Sequence, residues 1–121
     1  MAAGTSSPAG STHVLADLWR VDAALLRDAT RVEAMMRAAA SAAGVRVLSA
    51  HFHRFGGEGG VTGVLLLAES HLSVHTWPGV GLAAVDAFMC GRARAEAAVD
   101  ALCAAMRAER LTSEVVRRGG Q

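Results

Sequence analysis

The chain has 121 residues, of which 52% are hydrophobic and 4% aromatic, and its formal net charge is +1. A chain of this length predicts one domain with a modest core, and a small core favours assembly into an oligomer. The near-neutral charge gives no reason to expect nucleic acid or an anionic membrane as a partner.

The N-terminal segment and the cysteines indicate a cytoplasmic protein. Residues 1–12 are rich in Ala, Gly, Ser and Thr and lack the basic start and apolar core of a secretory signal, so they are predicted to form a disordered tail. No apolar run approaches the roughly 18 to 20 residues that a membrane-spanning helix needs. Cys90 and Cys103 do not make a disulfide framework, and free thiols are the expected state.

The first predicted elements are a strand and a long helix. Residues 13–20 predict the strand, with Asp17 as a charged residue on it. Asp22 is a favourable N-cap, and the apolar residues behind it recur at steps of three and four, which is typical of an amphipathic helix. Gly44 is predicted to end this helix.

A second strand and a glycine-rich loop follow. Residues 45–55 predict the strand, on which His51 and His53 share one face. Two histidines at this spacing, without a third ligand at zinc-finger spacing, do not predict a metal site. Residues 56–60 contain four glycines around Glu58. They predict a flexible hairpin loop, since neither the Gly-Lys-Ser/Thr nor the helix of a phosphate-binding loop follows.

The rest of the chain predicts three strands, a helix and an edge strand. The strands cover residues 61–69, 70–77 and 82–90, the helix covers 93–110, and the edge strand covers 113–118. Two helices placed among antiparallel strands predict an α+β fold, a two-layer sandwich with both helices on one face of the sheet.

Three short motifs carry the functional prediction. They are Glu-Ser-His-Leu at 69–72, His-Thr-Trp-Pro at 75–78, and Ala-Val-Asp-Ala-Phe at 84–88 followed by Cys90. Together, at this spacing, they resemble the small prokaryotic S-adenosylmethionine decarboxylase proenzymes. Weaker similarity to that family extends from about residue 13 to about residue 110.

The resemblance implies self-cleavage ahead of Ser70. Its hydroxyl attacks the carbonyl of Glu69, the peptide becomes an ester, and loss of the Ser70 α-proton expels the upstream chain as a carboxylate. What remains of Ser70 hydrolyses to a pyruvoyl group, the implied cofactor, which leaves chains 1–69 and 70–121. That group forms a Schiff base with the substrate amine and is the electron sink when carbon dioxide leaves, the role of pyridoxal phosphate in other enzymes.

The resemblance also implies roles for three further side chains. His75 is the proton donor and acceptor in processing and is expected close to Ser70, where a base and an oxyanion stabiliser are needed. Thr62 keeps the hydroxyl of a family serine that assists processing. Cys90 is implied to return a proton to the substrate carbon. The implied assembly is a homodimer of cleaved protomers, with sites where subunits meet.

One position departs from the family pattern. The motif continues His-Thr-Trp-Pro-Glu in the family, where the Glu is implied to accept hydrogen bonds from the ribose hydroxyls of S-adenosylmethionine, whereas this chain has Gly79. A missing acceptor for a buried polar group costs about 1 to 3 kcal/mol. Phe55, at the position of the aromatic that would stack on adenine, and Trp77 remain candidates for substrate binding.

Intact reaction residues beside an altered nucleoside site predict a changed substrate. Members of the resembled family also decarboxylate L-ornithine or L-arginine, so a small basic amino acid is the preferred substrate, within polyamine biosynthesis. Its distal cation would need a carboxylate, for which Asp17, Glu58 and Asp86 are candidates. S-adenosylmethionine itself is the alternative, and an uncleaved, non-enzymatic binding relative is the second alternative.

Two other uses of the same residues are disfavoured. A serine hydrolase built on Ser70 and His75 would need an exposed elbow such as Gly-x-Ser-x-Gly, and residues 68–72 contain no glycine. His71 and His75 would suit zinc on a helix, but the alternating run around them predicts a strand. No metal is therefore assigned.

Overall fold

An antiparallel sheet of six strands is the frame of the protein, and a computed structural model describes residues 10–90 and 94–119. The strands are β1 (Ser11–Trp19), β2 (Val47–Arg54), β3 (Val61–Leu67), β4 (Ser70–Trp77), β5 (Leu82–Met89) and β6 (Arg110–Arg118). They lie in the order β2-β3-β4-β5-β1-β6, so β1 is inserted between two strands that come much later in the chain.

The helices form the second layer, on one face of the sheet. They are α1 (Ala23–Leu26), α2 (Ala29–Ala42) and α3 (Ala95–Met106), with a short 3-10 turn at Pro78–Val80. The core lies between the layers, where side chains from α2 and α3 are buried with alternate residues of the strands. Within the described residues, no helix is long and apolar enough to span a membrane.

The predicted two-layer α+β sandwich is confirmed, with different element boundaries. The single helix expected from Asp22 to Gly44 is two helices, because Asp28 provides a second N-cap. The Asp22 carboxylate accepts from the N–H of Leu25 at 3.3 Å, and that of Asp28 accepts from the N–H of Arg31 at 3.1 Å. Gly44 follows the end of α2 with φ +75°, the left-handed conformation that glycine adopts readily.

Both ends of the chain also differ from expectation. Ser11 and Thr12, which the sequence places in the tail, belong to β1, where they pair with β6. Residues 1–9 lie outside the described part of the chain. The last strand begins at Arg110 rather than at residue 113, and it pairs with β1 along its whole length.

Strand alternation leaves one face of the sheet turned away from the described helices, and we call this the open face. Buried residues such as Leu72 and Val74 point to the helices, and the residues between them point to the open face. The open face exposes the large apolar side chains of Leu15, Leu66 and Trp77 by 43%, 45% and 49%. It also carries most of the polar groups that the sequence singles out.

Candidate active site

A strained hairpin precedes Ser70. Ala68 and Glu69 connect β3 to β4, whose residues Leu67 and Ser70 pair directly. Glu69 has φ 58°, in the left-handed region. This conformation costs a residue with a side chain roughly 1–2 kcal/mol. The predicted scissile peptide, between Glu69 and Ser70, therefore starts at one of the few described non-glycine residues with a positive φ.

Ser70 and Cys90 lie together at the end of neighbouring strands. The pairing of His71 with Phe88 puts the start of β4 beside the end of β5. The backbone N–H of Cys90 donates to the Ser70 hydroxyl oxygen at 3.3 Å, and the Cys90 thiol lies 3.3 Å from the Ser11 hydroxyl. The Ser70 oxygen accepts this hydrogen bond, so the contact does not use the hydroxyl proton.

Thr62 and His75 form a second pair at a distance from the first. They face each other across β3 and β4, with the Thr62 hydroxyl 3.3 Å from Nδ1 of His75. His75 is five residues along β4 from Ser70, which is about 16 Å at the rise of an extended strand. Strand alternation also turns these two side chains to opposite faces. The expectation that His75 lies close to Ser70 is therefore wrong within one chain.

A hydrogen-bonded cluster that the sequence did not predict centres on Asp86. Its Oδ2 atom is 2.6 Å from Nε2 of His13 and 2.8 Å from Nε2 of His71. Its Oδ1 atom accepts from the Ser73 hydroxyl. Burial acts to raise the pKa of Asp86, but the hydrogen bonds from Ser73, His71 and His13 outweigh it and hold the pKa below its ordinary value. Asp86, expected to bind substrate, is thus engaged within the protein.

The same cluster is the set of side chains that comes nearest to a metal site in the described residues. The ligand atoms of His13, His71 and Asp86 lie within 4.8 Å of one another. However, Nη1 of Arg118 lies 3.0 Å from Nδ1 of His13. A guanidinium can only donate, so Nδ1 is the acceptor and Nε2 carries the proton. A protonated Nε2 offers Asp86 a hydrogen bond and has no lone pair for a metal ion.

The two aromatic candidates stand beside histidines. Phe55 lies just beyond β2, 50% exposed, with its ring edge-to-face on His53 at 4.5 Å between centroids. Trp77 ends β4, 49% exposed, and stacks on His75 at 6.1 Å. A Cβ added at Gly79 would meet nothing within 4 Å. Packing therefore does not require glycine at this position.

The three candidate carboxylates have different surroundings. Asp86 is held by the cluster described above, and Glu58 is an exposed side chain that pairs with Arg27 at 2.6 Å. Asp17 lines a groove of about 410 Å³ on the open face, together with His75 and Glu114. The sequence did not single out Glu114, because nothing local to it shows that β6 lies beside β1.

The chain is similar to known proteins over most of its length. The model of the S-adenosylmethionine decarboxylase family matches residues 12–119. The S-adenosylmethionine decarboxylase proenzymes of Caldanaerobacter subterraneus subsp. tengcongensis and Acetivibrio thermocellus are each 40% identical to the chain over 108 residues, which cover 88% of this chain and 86% of theirs. The crystal structure of the adenosylmethionine decarboxylase from Aquifex aeolicus superposes with a TM-score of 0.83 at 35% identity, covering 92% of both chains.

Proposed function

The chain belongs to the S-adenosylmethionine decarboxylase family, and we propose that it cleaves itself before Ser70 and, as a homodimer, decarboxylates a small basic amino acid. Members of the family are pyruvoyl-dependent carboxy-lyases made as proenzymes, in which self-cleavage turns a serine into the pyruvoyl group. The resemblance inferred from the three motifs is therefore confirmed. The cleavage position, the roles of individual residues, the assembly and the substrate form the proposal.

The strained hairpin supports Ser70 as the pyruvoyl precursor. The Ser70 hydroxyl attacks the Glu69 carbonyl, the peptide C–N bond breaks, and an ester joins the two residues. A base then removes the Ser70 α-proton, and the ester bond breaks to leave Glu69 with a free carboxylate. The residue left at position 70 takes up water and releases ammonia. The left-handed conformation of Glu69 raises the energy of the intact hairpin and is relieved by the cut.

The Ser70–Cys90 contact supports Cys90 as the proton donor of the decarboxylation. Once formed, the pyruvoyl group supplies a carbonyl that accepts the electrons left when carbon dioxide departs. The Cys90 backbone N–H already touches the Ser70 hydroxyl, which puts residue 90 beside the reacting position. The nearby Ser11 hydroxyl, 3.3 Å from the thiol, can hold it in place.

The separation of Ser70 from His75 supports a site shared between two copies. The proposed processing base and Thr62 lie about 16 Å from the Ser70 of their own chain along β4. They sit on the open face, where exposed Leu66 and Trp77 provide apolar surface for a second copy. In a symmetric dimer, Thr62 and His75 of one copy would act on Ser70 of the other.

The surroundings of Gly79 carry the substrate proposal. This position has room for a larger side chain, so the fold would tolerate a glutamate here. With glycine instead, the ribose hydroxyls lose that acceptor. A groove on the open face is lined by Asp86, which His13 and His71 already engage, and by Asp17 and Glu114, beside His75. Two carboxylates in a groove suit the distal ammonium or guanidinium of a basic amino acid. Asp17 is the preferred partner for that cation, because Asp86 and Glu58 are engaged by other side chains.

S-adenosylmethionine is the second candidate substrate. The relatives that are 40% identical carry that activity in their names. Phe55 keeps a half-exposed ring at the position expected to stack on adenine. These observations favour a nucleoside substrate, and a direct comparison of substrates tests it against the basic amino acid.

Intact mass and carbon dioxide release test the proposal together. We expect two chains, 1–69 and 70–121, that together have gained one water and lost one ammonia. Carbon dioxide should be released from L-ornithine or L-arginine faster than from S-adenosylmethionine at equal concentration. An uncleaved chain would instead identify a non-enzymatic relative, and turnover of S-adenosylmethionine alone would overturn the substrate proposal but leave self-cleavage intact.

A further inference from the structure

The Asp86 cluster, formed by His13, His71, Ser73 and Asp86, joins three strands at the same end of the sheet. Asp86 lies on β5, His13 on β1, and the other two members on β4. Both imidazoles donate to one carboxylate oxygen, at 2.6 and 2.8 Å, and the serine hydroxyl donates to the other. A single carboxylate thus ties β5 to both of its neighbours.

The positions of the protons in this cluster follow from its outermost contact. Arg118 donates to Nδ1 of His13, so Nε2 of His13 carries a proton and points it at Asp86. The carboxylate can only accept, so Nε2 of His71 must also carry its proton. Every contact to Asp86 is therefore a donor meeting an acceptor.

The two imidazoles also enclose the ring of Phe88. His13 meets this ring edge-on at 5.5 Å between centroids, and His71 stacks on it at 6.0 Å. Arg118 lies 5.8 Å from the same ring. Asp86 holds both imidazoles, and the imidazoles pack against the Phe88 ring. The carboxylate therefore indirectly restrains Phe88 and the last residues of β5.

Two of the strands that the cluster holds lead to the Ser70 site: Ser70 directly precedes His71, and Cys90 follows Asp86 by four positions, just beyond β5. The hydrogen bond from the Cys90 N–H to the Ser70 oxygen joins these two strand ends. A small change in strand spacing at the cluster would therefore change the distance between the Cys90 N–H and the Ser70 oxygen.

We propose that Asp86 is a positioning residue for self-cleavage, which holds His13 and His71 so that the Cys90 N–H and the Ser70 hydroxyl meet. It acts through its neighbours and does not touch the reacting atoms. This role rests on the proposed cleavage before Ser70. Misplacement of reacting groups by about 1 Å can slow a reaction about a hundredfold, so a loss of alignment at this end of the sheet is measurable.

Two substitutions at residue 86 separate geometry from charge. Asn can turn its oxygen to the two imidazoles and its amide nitrogen to the Ser73 hydroxyl, which keeps every contact without the charge. Ala removes all the contacts. We expect Asp86→Ala to slow self-cleavage about tenfold or more and Asp86→Asn to stay within about threefold of the wild-type rate. Glu109→Gln, which alters an exposed pair with Arg20 at the other end of β1, is the matched control.

Cleavage is followed by intact mass over time, after circular dichroism has shown that each variant is folded. If Asp86→Ala does not fold, the double variant His13→Ala with His71→Ala replaces it and is expected to slow cleavage equally. Folded Asp86→Ala protein that cleaves at the wild-type rate would overturn the role of Asp86. So would an Asp86→Asn variant as slow as Asp86→Ala, which would show that the charge matters rather than the geometry.

Metal dependence is the remaining outcome. Loss of cleavage on treatment with EDTA and its recovery with Zn²⁺ would show that His13, His71 and Asp86 bind a metal ion, and would also overturn the positioning role. A wild-type chain that never cleaves would contradict the proposed function itself. Normal wild-type cleavage together with rapid cleavage of Asp86→Ala would contradict the positioning role alone.

Discussion

The backbone N–H of Cys90 lies 3.3 Å from the hydroxyl oxygen of Ser70, although the two residues are 20 positions apart and at the ends of neighbouring strands. The donor belongs to the backbone, so it does not depend on the side chain at residue 90. The thiol and the N–H of the same residue can therefore be separated by substitution.

Cys90→Ala should cleave itself at close to the wild-type rate but decarboxylate poorly. The substitution keeps the N–H that holds the Ser70 hydroxyl and removes the proposed proton donor, a contribution of about a hundredfold or more for a general acid. Intact mass reports the cleavage and carbon dioxide release reports the turnover. Cys103→Ala, which changes a thiol packed beside the core on α3, is the control and should leave both rates unchanged. Ser70→Ala should remain a single inactive chain.

Co-expression of Ser70→Ala with His75→Ala should restore self-cleavage. In a mixed dimer with shared sites, the intact Ser70 of one copy meets the intact His75 of the other. Random pairing would leave about a quarter of the sites functional. Each variant expressed alone should stay uncut. If the mixture also stays uncut while mixed dimers are present, the two residues act within one chain and the shared site is wrong.

Gly79→Glu should raise turnover of S-adenosylmethionine relative to a basic amino acid. A Cβ at this position meets nothing within 4 Å, so the carboxylate fits without a clash and can accept from the ribose hydroxyls. One recovered acceptor corresponds to about a tenfold change in the ratio of the two kcat/KM values. Val80→Glu places a carboxylate on the adjacent residue, which is 66% exposed, and should leave the ratio unchanged.

Glu69→Asn should stabilise the uncut chain and slow its cleavage. Asn adopts the left-handed conformation at lower cost than Glu, so the hairpin would store less strain. Measured in a Ser70→Ala background, the free energy of unfolding should rise by up to about 1 kcal/mol. Unchanged stability and an unchanged cleavage rate would show that this conformation is not part of the mechanism.

Asp86 should make the free energy of unfolding of the uncut protein depend on pH. Its pKa is lowered in the folded state, so the unfolded chain binds more protons as the pH falls through the ordinary carboxyl range, near 4. The contribution of Asp86 is therefore complete above that range and is lost as the pH falls towards the lower folded-state value. Thermal unfolding of Ser70→Ala with and without Asp86→Asn should differ at pH 6, and the difference should shrink as the pH falls below the ordinary carboxyl range.

The sequence predicts those parts of the fold that local patterns determine. Alternation in β4 and β5 identifies both strands, and Asp22 and Gly44 mark helix ends correctly. The pairing of His13 with Asp86 joins positions 73 residues apart, and no local pattern shows that β1 enters between β5 and β6.

The placement of His75 relative to Ser70 follows from the strand prediction itself. The two residues are separated by an odd number of positions on one strand, so their side chains must face opposite sides of the sheet. A strand over residues 70–77 and a direct contact between these two side chains are therefore incompatible. The parity of their spacing alone therefore argues against a direct contact between His75 and Ser70 of one chain.

The insertion of β1 between β5 and β6 determines what holds the two products of the proposed cut together. Fragment 1–69 supplies β1, β2 and β3, and fragment 70–121 supplies β4, β5 and β6, so the strands interleave across the sheet. Three strand boundaries, β3 with β4, β5 with β1 and β1 with β6, join one fragment to the other. After cleavage the two fragments therefore cannot dissociate unless the sheet unfolds. A native gel should show one band where a denaturing gel shows two.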